Sequence, residues 1–152
     1  MQLTSPAFVN NEKIPAKYTC DGENIAPELN VSGVPVEAES LALIVDDPDA
    51  PMGALRPGSG QAWDHWLVYN ISPSSASIAE NSVPDGGIQV TNSFGRKTYG
   101  GPCPPSGVHH YRFKLYALDA KLELGISSKK GLEEAMKNHL LAQTELVGLY
   151  AR

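Results

Sequence analysis

The chain has 152 residues, of which 14 are glycine and 12 are proline. Both shares exceed average usage, which is about 7% for glycine and about 5% for proline. Because proline is rare inside helices and central strands, this composition argues against an all-helical bundle. Hydrophobic residues make up 41% of the chain and charged residues 19%, so the composition is not typical of disorder. The length predicts a single domain over residues 1–152.

The formal net charge is −5 at pH 7, and the sequence contains no basic run. Such a chain is a poor candidate for binding nucleic acid or an anionic membrane, so a bound anion requires a local site. The N-terminus lacks signal-peptide features, and no apolar run approaches the ~18 residues of a membrane span. Cys20 and Cys103 could form one disulfide, but without a cysteine-rich framework we expect a cytoplasmic protein with both thiols reduced.

Two strands are predicted in the first half of the chain. Residues 38–47 form a short apolar run that ends in turn residues, which is typical of a buried strand. Residues 63–71 are rich in aromatic and β-branched side chains and predict a second strand. A period of two would place these side chains of the second strand on one face: Trp63, His65, Leu67, Tyr69 and Ile71.

The second half predicts a third strand, one helix and a final strand. Residues 108–119 form the third strand, whose odd positions share a face: His109, Tyr111, Phe113, Leu115 and Ala117. Residues 128–138 predict a helix capped by Ser127 or Ser128, and at least 143–150 predict a strand. Strands followed by one late helix favour a mainly β sandwich or barrel of antiparallel character.

Three motifs at strand ends carry polar groups. DDPDAP (46–51) places the Asp47 carboxylate where a buried strand ends, and WDHW places His65 beside Trp63. GGPCPPSGVHHY (100–111) is a rigid loop that leads into His109 and Tyr111. Each motif also has an ordinary interpretation as a turn, a core histidine or a stable connection.

Three further residues have simple expected environments. Lys129 and Lys130 are expected to be solvated at the start of the helix. His110 alternates with His109 and is therefore expected to be exposed on the opposite face of the strand.

The chain closely resembles the phosphatidylethanolamine-binding protein family, also called the Raf kinase inhibitor protein family. The resemblance rests on three motifs in this order: DDPDAP, WDHWLVYNI and GGPCPPSGVHHYRFKLYALD. The compact length is similar to that of its bacterial and archaeal branch, and the resemblance extends through the tail ELVGLY. It implies an antiparallel-rich β-sandwich with one or two short helices and a small pocket at one end for phosphate-like anions.

The resemblance also assigns pocket residues. The ligand-binding set would be Asp47, Trp63, His65, Gly101, Pro102, His109 and Tyr111, with Pro51 and Cys103 at the rim. The sequence departs from the eukaryotic pattern at Asp64, which replaces a histidine, and at Cys103, which interrupts a Gly-Pro-Pro run. A counterpart of the C-terminal helix of eukaryotic members is not evident, which puts inherited kinase regulation or lipid selectivity in doubt.

The leading functional hypothesis is a non-enzymatic module that binds a phosphate, a phosphoester or a phospholipid headgroup. It needs no cofactor and no metal, and the resemblance implies a kinase or protease as protein partner. One alternative is a hydrolase, with a metal on Asp47, His65 and His109 or with Cys103 as nucleophile. Another is a peptidase inhibitor. Exposed apolar residues of the tail are compatible with a homodimer.

Overall fold

A computed structural model describes residues 1–51, 53 and 62–152. Within these residues the chain forms strands, a short 3-10 helix (Ala16–Tyr18) and an α-helix, α1 (Lys129–Met136). The strands are β1 (Gln2–Thr4), β2 (Glu12–Lys13), β3 (Leu29–Ser32), β4 (Ser40–Asp47), β5 (Trp63–Ile71), β6 (Ser77–Ile78), β7 (Ile88–Val90), β8 (His109–Leu118) and β9 (Leu140–Tyr150). No helix in the described part of the chain is long and apolar enough to cross a membrane.

The strands form two sheets. The smaller sheet has the order β1-β3-β6, and the larger has the order β2-β9-β8-β4-β5-β7. All pairs are antiparallel except β2 with β9, which is parallel. The prediction of a mainly β fold of antiparallel character is therefore confirmed. Strand β4 lies at the centre of the larger sheet, and all eight of its residues are buried.

Two apolar layers cover the two faces of the larger sheet. The inner layer lies between the sheets and includes Leu29 of β3, Leu43 of β4 and Phe113 of β8. The outer layer lies against α1, which contributes Leu132 and Met136. Because both faces of the central strands are covered, their sequence reads as a continuous apolar run rather than an alternation.

Most predicted elements are observed with small changes at their ends. The segments predicted over 38–47, 63–71 and 108–119 form β4, β5 and β8. The odd positions of β8 from Tyr111 to Ala117 lie in the inner layer, as the alternation predicts. The final strand, β9, begins earlier than residue 143. In α1 the cap is Ser128, whose hydroxyl accepts a hydrogen bond from the Gly131 backbone N–H.

The single face predicted for β5 is wrong, because its pairing with β4 contains two irregularities. At the first, Val45 pairs with Trp66 and Asp46 pairs with Asp64, so His65 is an extra residue opposite the partner strand. Such a bulge places two neighbouring side chains on the same side of the sheet. His65 therefore stays on the inner side together with Trp66.

Beyond this bulge the alternation of β5 changes by one position. Leu67 and Tyr69 lie in the outer layer, against the expectation that they accompany His65. A second irregularity near Asn70, whose φ is +56°, returns Ile71 to the inner layer. A period of two cannot reveal these shifts, because one extra residue moves every following side chain to the other face.

A cluster of buried charges lies on the outer face of the larger sheet. The Lys129 ammonium donates to Asp46 Oδ2 at 2.6 Å and lies 3.1 Å from Asp64 Oδ1. Arg112 Nε donates to Asp46 Oδ1 at 2.8 Å, and Lys114 Nζ donates to Asp46 Oδ2 at 2.7 Å. The expectation of a solvated Lys129 is wrong, because carboxylates buried on adjacent strands require a cation beside them.

The pKa values of the two carboxylates in this cluster are shifted in opposite directions from their usual values. Burial raises the pKa of Asp64 to about 6, although Lys129 opposes this effect. Burial also disfavours ionisation of Asp46, but the hydrogen bond from Arg112 and the charges of Lys129 and Lys114 lower its pKa to about 2. Lys129 thus stabilises the ionised forms of two buried groups at once.

We expect Lys129→Ala to lower the free energy of unfolding by about 3–5 kcal/mol, because it leaves buried carboxylates without their shared cation. The neighbouring Lys130 is exposed, as predicted, and Lys130→Ala is the matched control with little expected effect. Urea unfolding of both variants at neutral pH measures the difference. Equal stabilities of the two variants would contradict the role given to Lys129.

Candidate functional site

The inner face of the larger sheet ends in a cavity of about 190 Å³. Strands β4, β5 and β8 reach it side by side, so residues far apart in sequence meet there. The lining residues are Asp47, Ala50, Pro51, Trp63, His65, Phe94, Cys103, Pro104, Pro105, His109 and Tyr111. The set combines a few polar groups with many apolar ones, which is typical of small-molecule sites.

Asp47 and His109 form a buried pair in this cavity. His109 Nδ1 lies 2.7 Å from Asp47 Oδ2, and both side chains are less than one-tenth exposed. Because a carboxylate accepts, Nδ1 carries the proton and Nε2 is the ring nitrogen left for a ligand. Asp47 Oδ1 accepts from the Asp49 backbone N–H at 2.8 Å, so both carboxylate oxygens are engaged by the protein. Asp47 therefore orients His109.

His65 is fixed in the same way by a backbone group. Its Nδ1 lies 2.6 Å from the Gly100 carbonyl oxygen, which can only accept, so the proton again sits on Nδ1. The ring is fully buried, and desolvation lowers the pKa of His65 below its usual value. Neutral His65 thus presents a lone pair on Nε2, and protonation converts this nitrogen into a donor.

The Tyr111 ring contacts both imidazoles and carries a hydroxyl group. The ring meets that of His65 edge to face at 5.2 Å and stacks against that of His109 at 6.4 Å. The hydroxyl is buried and has no hydrogen-bond partner among the described residues. Burial raises the pKa of Tyr111 far above its usual value, so the hydroxyl remains a proton donor at all ordinary pH values.

The apolar side of the cavity contains an aromatic residue that the sequence analysis missed. Phe94 meets Trp63 and His65 edge to face, each at 5.3 Å between ring centroids. The Asn92 side chain holds this loop: its Oδ1 accepts from the Phe94 and Arg96 backbone N–H groups. The only sequence signal for Phe94 is its position in a long loop before the glycine–proline motif.

The structure brings together most of the residues assigned by the resemblance. Seven of them line the cavity: Asp47, Pro51, Trp63, His65, Cys103, His109 and Tyr111. Gly101 and Pro102 are not among the described lining residues. His110 is exposed on the other face of β8, as predicted, and its Nδ1 lies 2.8 Å from Asp49 Oδ2.

Gly101 and Pro102 instead fasten the cavity wall to the N-terminal segment. The Gly101 N–H donates to Asn24 Oδ1 at 2.8 Å, and the Cys20 N–H donates to the Pro102 carbonyl at 3.1 Å. A Cβ on Gly101 would lie 2.3 Å from the Tyr18 carbonyl oxygen, so only glycine fits. Gly101 and Pro102 therefore position the cavity wall through contacts with the N-terminal segment and do not line the cavity themselves.

Cys103 is joined to Cys20 by a disulfide, with their Cα atoms 5.4 Å apart. The expectation that both thiols are reduced is therefore wrong. The cysteines are separated by 83 positions, and their pairing follows from the close packing of the Gly101–Pro102 segment on the N-terminal segment. In this form Cys103 offers no thiol nucleophile. Among the described residues, no three His, Cys, Asp or Glu side chains are arranged to hold a metal ion.

Comparison with known proteins agrees with this architecture. The family model described as phosphatidylethanolamine-binding protein matches residues 4–151. A UPF0098 protein of Methanothermobacter thermautotrophicus is 49% identical over 100% of this chain and 99% of its own length. A UPF0098 protein of Chlamydia muridarum is 47% identical, over 99% of this chain and 98% of its own.

Solved structures show the same similarity. A crystal structure of a phosphatidylethanolamine-binding protein homolog from Chlamydia trachomatis has a TM-score of 0.92 and 43% identity, covering 99% of this chain and 97% of that one. Escherichia coli YbcL, described as a new member of the mammalian PEBP family, has a TM-score of 0.86 and 30% identity, covering 99% and 98%.

We expect Gly101→Ala to lower the free energy of unfolding by about 1–3 kcal/mol, because the added methyl group overlaps backbone that cannot easily move. Gly53→Ala is the matched control, since a Cβ there meets no atom of the described residues within 4 Å. Urea unfolding of the oxidised proteins measures both. If Gly101→Ala were as stable as the control, the proposed fastening of the wall would be incorrect.

Proposed function

Because the chain belongs to the phosphatidylethanolamine-binding protein family, we propose that its cavity binds a phosphate-type anion, either free or as a phosphoester such as a phospholipid headgroup. The observation that carries the proposal is the convergence of His65, His109 and Tyr111 on one cavity. Each imidazole already uses Nδ1, so Nε2 and the Tyr111 hydroxyl are the groups directed to a ligand.

The charge of the cavity depends on the protonation of His65, whose pKa is lowered by burial. When His65 is protonated, its Nε2–H donates to an anion, and such a charge-assisted bond is stronger than a neutral one. Asp47 balances part of the charge and keeps His109 in one orientation. No lysine or arginine lines the cavity among the described residues, so we expect binding of modest strength.

The apolar lining indicates where the rest of a ligand would lie. Trp63, Phe94 and the prolines at 104 and 105 surround the polar groups. They exclude water, which strengthens the hydrogen bonds to an anion, and they offer contact area to the ester group of a phosphoester. The proposal therefore assigns binding, and no catalytic step, to this site.

The other parts of the functional hypothesis remain predictions from the sequence. These are regulation of a kinase or a protease, a cytoplasmic location and a homodimer. The anion site can be tested independently of them, with purified protein and small probes.

We expect anion affinity to fall as pH rises. Burial lowers the pKa of His65 in the free protein, and a bound anion raises this pKa again. Anion binding is therefore coupled to protonation of His65. As pH rises, protonation of His65 becomes less favourable and the anion binds more weakly. Calorimetry with sulfate at about pH 5.5 and about pH 8.5 should show at least a tenfold loss, the value of one charge-assisted hydrogen bond. Sulfate keeps its charge over this range, whereas phosphate does not, so equal sulfate affinities at both values would refute the protonation model.

We also expect Tyr111→Phe to weaken sulfate binding by about fivefold to tenfold at the lower pH, because one donor hydrogen bond is lost. The fold should be retained, since the hydroxyl has no partner in the described structure. The matched control is His110→Ala, which removes an exposed imidazole on the opposite face of the same strand. Unchanged affinity in Tyr111→Phe, or an equal loss in both variants, would place the anion elsewhere.

A further inference from the structure

The wall of the cavity contains one half of a disulfide. Cys103 lines the cavity and is exposed. Its partner Cys20 is half-buried and is not among the described lining residues. Attack by a thiolate on a disulfide depends on access and on which sulfur is reached. A molecule in the cavity therefore meets Cys103 before Cys20.

We infer that Cys103 is a site of thiol–disulfide exchange with small-molecule thiols that enter the cavity. The thiolate sulfur bonds to Cys103 Sγ, the Cys103–Cys20 bond breaks, and Cys20 leaves as a thiolate that takes a proton from water. A second thiolate then attacks the small-molecule sulfur of the mixed disulfide and releases Cys103. Two thiols are oxidised to one disulfide, and the protein disulfide is reduced to two thiols.

The contacts around the disulfide show which part of the wall depends on it. The chain up to Pro102 is held by the bonds Gly101 N–H to Asn24 and Cys20 N–H to Pro102, which do not involve sulfur. No hydrogen bond from residues 104–107 to the rest of the described chain accompanies these. Residues 104 and 105 nevertheless line the cavity and directly follow Cys103, so the disulfide holds the start of this part of its wall, and β8 continues from its end.

The exchange site and the proposed anion site therefore share a wall. This coupling between the two sites rests on the proposed function. His65, His109 and Tyr111 line the same cavity as Cys103. A bound anion occupies the space through which a thiol reaches Cys103, and it should slow the exchange.

The exchange is tested on the oxidised, folded wild-type protein with 2-mercaptoethanol as probe. The reaction is quenched early with an alkylating agent, and peptide mass spectrometry locates the mixed disulfide and the alkylated thiol. We expect the adduct on Cys103 and the alkyl group on Cys20, with about a tenfold excess over the reverse arrangement, because Cys103 is exposed and lines the cavity whereas Cys20 is half-buried. A predominant adduct on Cys20, or no adduct until the protein is unfolded in urea, would overturn the proposal.

A second arm separates this proposal from the proposed function. The exchange rate is measured with and without sulfate, in wild type and in Tyr111→Phe, beside calorimetry of the same samples. The shared wall is supported if sulfate slows the exchange only in those samples in which calorimetry shows that sulfate binds. Sulfate binding without any effect on exchange overturns the shared wall. If sulfate does not bind, the proposed function fails, and the position of the adduct still decides whether Cys103 is the exchange site.

Discussion

The structure depends on two consecutive carboxylates at the end of a fully buried strand. Asp46 and Asp47 of β4 point to opposite faces of the larger sheet, and each is almost completely buried. A buried charge is costly unless it is paired and hydrogen-bonded, so each face must supply a partner. On the outer face Asp46 is stabilised by Lys129, Arg112 and Lys114. On the inner face His109 pairs with Asp47.

This division gives the two faces different tasks. The outer face uses charges to attach α1 to the sheet, because Lys129 at the start of the helix reaches Asp46 and Asp64. The inner face uses its carboxylate to orient an imidazole whose second nitrogen remains available in a cavity. Burial raises the pKa of Asp64 on the outer face and lowers the pKa of His65 in the cavity, because it disfavours the charged form of each group.

The side chains and the wall of the cavity are held by contacts with residues that do not line it. The bulge at His65 keeps this ring on the inner side, and the Gly100 carbonyl sets its tautomer. The disulfide and the Gly101 contacts fasten the opposite wall to the N-terminal segment. Groups held in place before binding lose little freedom when a ligand arrives.

Local patterns in the sequence predicted β4, β5, β8 and β9, the late helix and the motifs that meet at the cavity, because hydrophobic pattern, cap residues and turn residues are local properties. Through the family resemblance the sequence also predicted that His65 and His109 lie together, and both line the cavity. Four features became evident only in the folded chain: the faces of β5, the burial of Lys129, the position of Phe94 and the Cys20–Cys103 bond. Each of these depends on a bulge or on contact between distant segments, and neither leaves a periodic signal in the chain.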